Sequence, residues 1–343
     1  MTHSAGAQPG RWPGEHRRSV VTPSAGFRRL ATATGLATFA LIIVGGVVRV
    51  SGSGLGCGPA GSGFNGWPFC NGDLVPGLDL NSVIEYTHRV LGIAVGILMI
   101  ALAVMAIRKL RDHPRLVHAS LAAVGLVIAQ GLLGAATVEK NLDEPLVAAH
   151  LGLAMGLLAL TLYIWREARE TEAAAKPSEP RLRALSVVAS ALLLCTIVAG
   201  GYMAGTQNYG RADYQLGDGA HHACGKEFPT CNGGFLPFGE ARLVDIHLTH
   251  RVFMYLAVIA VSALALMALR RGYKRGAHLL AGLLMAQVLL GALNVWLDEY
   301  ELLILAHLAL GTLLWAASVN LVFQLYAARA PAPAAARGQP VAA

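Results

Sequence analysis

Thr87-His88-Arg89-Val90 recurs as Thr249-His250-Arg251-Val252, and both copies lie in long apolar runs. Two further segments repeat in step with them. Gln130-Gly-Leu-Leu-Gly-Ala135 returns as Gln287-Val-Leu-Leu-Gly-Ala292, and 20 residues after each glutamine comes Ala-His-Leu, at Ala149-His150-Leu151 and Ala306-His307-Leu308. Ile43 to Gly46 and Ile197 to Gly201 also share an Ile-Val, Gly-Gly pattern. Matched segments in register mark an internal duplication.

Around these segments the 343-residue chain is 55% hydrophobic and 14% charged, whereas a soluble domain carries about a quarter charged residues. Apolar runs near 30–50, 83–107, 116–138, 145–165, 183–205, 243–269, 277–297 and 301–326 predict eight helices, each long enough for a bilayer core that takes about 20 residues. The fold class expected is an all-α membrane protein: eight transmembrane helices in two tandem four-helix bundles. An even number of spans per repeat keeps both halves in one orientation, so their pseudo-twofold axis is expected along the membrane normal. The units expected are a disordered tail over 1–27, an N-terminal half over 28–165, a linker over 166–182, a C-terminal half over 183–326 and a second disordered tail over 327–343. The first tail also has the basic, acid-poor character of a transit peptide. The first apolar run is too long for a signal-peptide core, and the repeat needs it as a retained helix.

The formal charge is +7. The basic residues fall at helix ends rather than on one folded face, which argues against nucleic acid as a partner. One set of loops and tails holds 20 of the 27 Lys and Arg residues. Positive-inside logic puts that set, and both termini, in the cytoplasm. The loops 1–2 and 5–6 then face outside. Four of the five cysteines lie there, and Cys195 lies within an apolar run, where it reads as a small core residue.

His88, His150, His250 and His307 each lie about a turn and a half inside the outer end of an even-numbered helix. One intramembrane histidine serves equally well as a hydrogen-bonding group between helices. Four at one depth suit six-coordinate heme iron held by paired imidazoles, His88 with His150 and His250 with His307. Gly92, Gly152 and Gly311 offer room for a macrocycle. Zinc would more typically add Cys, Asp or Glu ligands nearby.

The halves diverge three residues before the first histidine, with Glu85 in one and His247 in the other. Spacing of i, i+3 places Glu85 on nearly the face of His88, where it suits a proton acceptor beside a heme edge. Ser82-Val83-Ile84-Glu85 fits a helix capping box equally well. His247 suits a supporting or interfacial role. Arg89 and Arg251 follow the histidines and suit either heme propionates or the outer headgroups.

On Glu85-Tyr-Thr-His88-Arg89, the later His250-Arg251 and the paired Ala-His-Leu motifs, the chain resembles the heme A synthases. The resemblance covers all eight helices and leaves out only the tails. It implies an oxidoreductase of the bacterial cell membrane that converts a ring methyl of heme O to a formyl group, through an alcohol, to give heme A for terminal oxidases. It implies that His88 and His150 hold the substrate heme, that His250 and His307 hold a permanent heme b, and that Glu85 is the catalytic carboxylate. The farnesyl tail of heme O would lie in the hydrocarbon region between helices. Cys57 with Cys70 and Cys224 with Cys231 match the bacterial branch with cysteine pairs in the outer loops, where an oxidising exterior allows disulfides. Heme O synthase, oxidase assembly proteins and a second copy of the chain are the partners it suggests besides the lipid bilayer. The rival reading is a diheme b-type cytochrome carrying electrons from quinol. A transporter is disfavoured, because no helix pair is broken by Gly or Pro near the midplane.

Overall fold

A computed structural model describes residues 22–169, 180–206, 219–297 and 301–327. Among the described residues eight helices are long and apolar enough to cross a membrane. They are α1 (Ala25–Val50), α2 (Leu80–Lys109), α3 (Pro114–Glu139), α4 (Glu144–Glu167), α5 (Pro180–Gly205), α6 (Arg242–Arg270), α7 (Lys274–Trp296) and α8 (Glu301–Tyr326). Side chains such as Ile93, Ile97, Ile128, Leu132, Ile259 and Met285 project outward exposed. A soluble protein would not leave so much apolar surface uncovered, and lipid covers it at no cost.

Helix starts differ from the sequence expectation for local reasons. The first helix begins at Ala25, five residues ahead of the expected run, because the Ser24 side chain accepts a hydrogen bond from Phe27 N. Phe27, expected in a disordered tail, is instead buried. In α2 the capping residue is Asp79, whose carboxylate accepts from Ser82 N at 3.0 Å. Ser82 is therefore inside the helix, and Ser82-Val83-Ile84-Glu85 is not a capping box. Residues 1–21 and 328–343 of the expected tails, together with most of the expected linker, lie outside the described residues.

Within the first half α1 packs on α2 and α4, and α3 packs on α2 and α4; α5 to α8 pack in the same order, α5 on α6 and α8, α7 on α6 and α8. The halves meet through α4 with α5 and α1 with α8. One core lies inside the first half, around Met99, Leu116, Leu157 and Ile164. A second runs from Ile42 and Met155 into Leu193, Val261, Leu284 and Leu314, so the halves share it. Polar contacts fix both ends of the junction. Arg166 donates to Asn320 Oδ1 at 2.9 Å, and Arg49 donates to the carbonyl of Ala204. Within the second half Ser190 and Ser318 pair at 2.8 Å, where Trp315 Nε1 also donates to Ser190 O. Such bonds hold helices that have no hydrophobic drive to associate in lipid. Cys195 is exposed on α5 rather than in the core.

The loops carry a further repeat. Cys70-Asn71-Gly72-Asp73 and Cys231-Asn232-Gly233-Gly234 are two-residue turns closed by paired backbone bonds. Positive φ at both central residues, 54° and 88° in the first and 49° and 80° in the second, is what Asn-Gly supplies. Disulfides join Cys57 to Cys70 and Cys224 to Cys231.

At the junction a Cβ on Gly205 would lie 2.7 Å from Glu144 Cα, against backbone that cannot yield. Gly205→Ala is expected to lower stability by about 1–3 kcal/mol, read as an earlier thermal transition in detergent. Gly96→Ala, which meets nothing within 4 Å, is the matched control and should melt as wild type does.

Candidate heme-binding site

His88 and His250 sit eight residues into α2 and α6, and His150 and His307 six residues into α4 and α8. At ~1.5 Å per residue these are depths of roughly 12 and 9 Å on the cysteine-loop side. Each imidazole lies against a glycine of the preceding helix. A Cβ on Gly45, Gly134, Gly200 or Gly291 would come within 3.0–3.1 Å of Cε1 of His88, His150, His250 or His307 respectively. Any larger side chain there would push the ring aside by a few tenths of an ångström. The expected spacers play other parts: Gly92 faces open space, Gly152 meets Val198, and Gly311 meets Gln287.

The donors stand across each four-helix ring, α2 from α4 and α6 from α8. His88 is within electrostatic reach of His150, and His307 of His250. Nδ1 of His88, His150 and His307 is buried without a hydrogen-bond partner. His250 differs, since its Nδ1–H donates to Thr196 O at 2.9 Å, which leaves the Nε2 lone pair for a metal. Among the described residues no group of three or more His, Cys, Asp or Glu is arranged around a bare ion. Two facing histidine pairs, each ring beside a glycine, fit a flat bis-histidine heme, and His307 Nε2 meets Gln287 Nε2 at 3.2 Å.

Glu85 is buried, one turn nearer the loops than His88. Its Oε2 accepts from Cys57 N at 2.8 Å, and its Oε1 from Arg89 Nη2 at 2.5 Å. Arg89 Nη1 donates to Gly66 O at 2.6 Å and to Phe69 O at 2.9 Å, so the same guanidinium grips the disulfide loop. In the other half Arg251 grips the second loop, through Thr230 O at 2.7 Å and Glu227 O at 2.8 Å. Both arginines thus engage loop carbonyls. His247, at the position of Glu85, is buried and donates from Nδ1 to Ala220 O at 2.7 Å.

Sequence reasoning missed three kinds of partner. The glycines against the rings were signalled by the Gly-Gly pattern at 45–46 and 200–201 and by the Leu-Gly-Ala segments. The carbonyls that hold the arginines had no signal beyond the shared Pro-x-Cys-Asn-Gly of the two loops. His221, in the short helical turn Ala220–Cys224, was also missed. Burial, with His247 and His250 nearby, pushes its imidazole well below the usual histidine range.

Residues 78–319 match the model of the COX15-CtaA family, described as cytochrome oxidase assembly protein. The chain is 30% identical to a heme A synthase of Shouchella clausii over 66% of this chain and 70% of that one. It is 30% identical to one of Halalkalibacterium halodurans over 70% and 75% of the two chains. A heme A synthase of Geobacillus kaustophilus is 27% identical over 89% and 93%. With paired intramembrane histidines, disulfide-closed loops and a match over most of its spanning region, the chain belongs to the COX15-CtaA family of cytochrome oxidase assembly proteins.

Proposed function

We propose that this chain makes heme A by oxidising a ring methyl of heme O to a formyl group in the N-terminal half of a multi-pass bacterial membrane protein. The observation that carries the reading is Glu85, the one buried carboxylate among the described residues. Glu85 lies one turn from His88, and the other half has His247 in its place. His88 and His150 hold the substrate heme, and Glu85 accepts a proton at the carbon being oxidised. Arg89 and Cys57 N–H orient that carboxylate, with both its oxygens engaged. His250 and His307 hold a permanent heme b, which supplies one-electron chemistry when bound. The fixed Nδ1 of His250 supports permanence in that half.

The contacts between halves support a pseudo-twofold relation, since Gly46 of α1 packs on Leu308 and Gly201 of α5 on Leu151. The Lys and Arg distribution supports cytoplasmic termini. A quinol-linked diheme cytochrome would give Glu85 no task, and the relatives named above do not favour it.

Glu85→Gln is expected to retain both hemes and to abolish formyl heme, measured by extraction and chromatography of hemes from purified protein. Undiminished heme A would remove Glu85 from the mechanism. His250→Ala should lose heme b while His88→Ala retains it; equal loss from both would favour the cytochrome. Arg89→Met leaves a buried carboxylate without its cation, which costs several kcal/mol. Its turnover should fall about 100-fold or more, with heme b content unchanged.

A further inference from the structure

His221 lies in the turn Ala220–Cys224, which is pinned on three sides. Ala220 N donates to Thr206 Oγ1 at the end of α5 at 2.7 Å, and Ala220 O accepts from His247 Nδ1 on α6 at 2.7 Å. The Cys224–Cys231 disulfide closes the third side. The His221 Nδ1 held there is buried and has no hydrogen-bond partner. The groups acting on the ring are His247, His250, His222 and Arg49, all of them basic or neutral nitrogen groups. A pinned, unpartnered donor among basic side chains is a place for an anion. Arg251 does not fill that role, because its guanidinium bonds the carbonyls of Glu227 and Thr230.

We propose that His221 takes a carboxylate of the heme held by His250 and His307. The ligand chemistry is a heme propionate, and the inference rests on the reading of the C-terminal half as a heme pocket. The first loop has no counterpart. Three residues before its first cysteine stands Gly54, packed on Leu142. The half from which a product heme must leave therefore lacks this hold.

The test uses the full chain in a His88→Ala, His150→Ala background, so that only the C-terminal pocket is loaded. It is filled with heme b or with heme b dimethyl ester, and the rate of heme transfer to apomyoglobin is followed. With His221 present the diester should leave roughly tenfold faster than heme b, the factor expected for a lost charge-assisted hydrogen bond. His221→Ala should release both hemes at the faster rate while keeping a bis-histidine spectrum. His221→Gln keeps a donor and should hold heme b nearly as the parent does, which covers the case in which the alanine variant does not fold. Equal sensitivity to esterification with His221 and with Ala would overturn the proposal, as would equally weak retention in the glutamine variant. A His250→Ala chain that still holds its heme would instead overturn the pocket on which the proposal rests.

Discussion

An imidazole ring in a bilayer must be packed without losing the nitrogen it presents, and glycine answers both demands. Gly45, Gly134, Gly200 and Gly291 let the ring of the following helix lie close against backbone, where a Cβ would crowd it at 3.0–3.1 Å. Lipid gives helices no hydrophobic reason to associate, so close backbone approach is the main source of cohesion. The odd-numbered helices therefore supply glycines and the even-numbered ones supply ligands. The neighbouring residues then join the halves. Gly46 and Gly201 accept Leu308 and Leu151, the residues directly after His307 and His150. In Ala-His-Leu the histidine thus packs within its own half and the leucine packs across to the other. One contact sets the register of the next.

The two disulfide loops are docked by one device that has been used in two ways. A buried guanidinium is costly unless its donors are satisfied. Arg89 and Arg251 both bond the carbonyl of the residue before the second cysteine, Phe69 or Thr230. The other amino group makes the difference. In Arg251 it meets the backbone carbonyl of Glu227, and in Arg89 it meets the carboxylate of Glu85. Replacing a carbonyl by a carboxylate keeps the arginine satisfied and places an acid beside the N-terminal pocket. The acid thus stands in one half while an arginine still holds each loop.

Much of this was legible in the sequence, for physical reasons that can be named. The eight spans were legible because a lipid-exposed helix must stay apolar along its length. The four histidines were legible because the duplication repeats His88 as His250 and His150 as His307. Helix starts were less so: Asp79 caps α2 where Ser82 looked equally able, since a cap depends on backbone direction that composition does not encode. Cys195 faces outward because a small apolar residue satisfies lipid as well as core. The partners of Arg89 and Arg251 were hidden because they are main-chain oxygens, which every residue carries.

The remaining asymmetry concerns how firmly each half grips what it binds. A histidine whose Nδ1–H is held by a carbonyl is oriented and made a stronger donor at Nε2. His250 has this hold from Thr196, whereas His88 has none. At the position equivalent to Thr196, four residues before the ring-bearing glycine, the first half has Leu41. On the reading proposed above, a ligand without a fixed tautomer suits a heme that must arrive and depart, and a fixed one suits a heme that stays. Glu85 lies in the half in which neither histidine Nδ1 has a hydrogen-bond partner. A site that must release its product gains from holding the iron less tightly while its carboxylate, gripped by Arg89 and Cys57 N–H, stays in place.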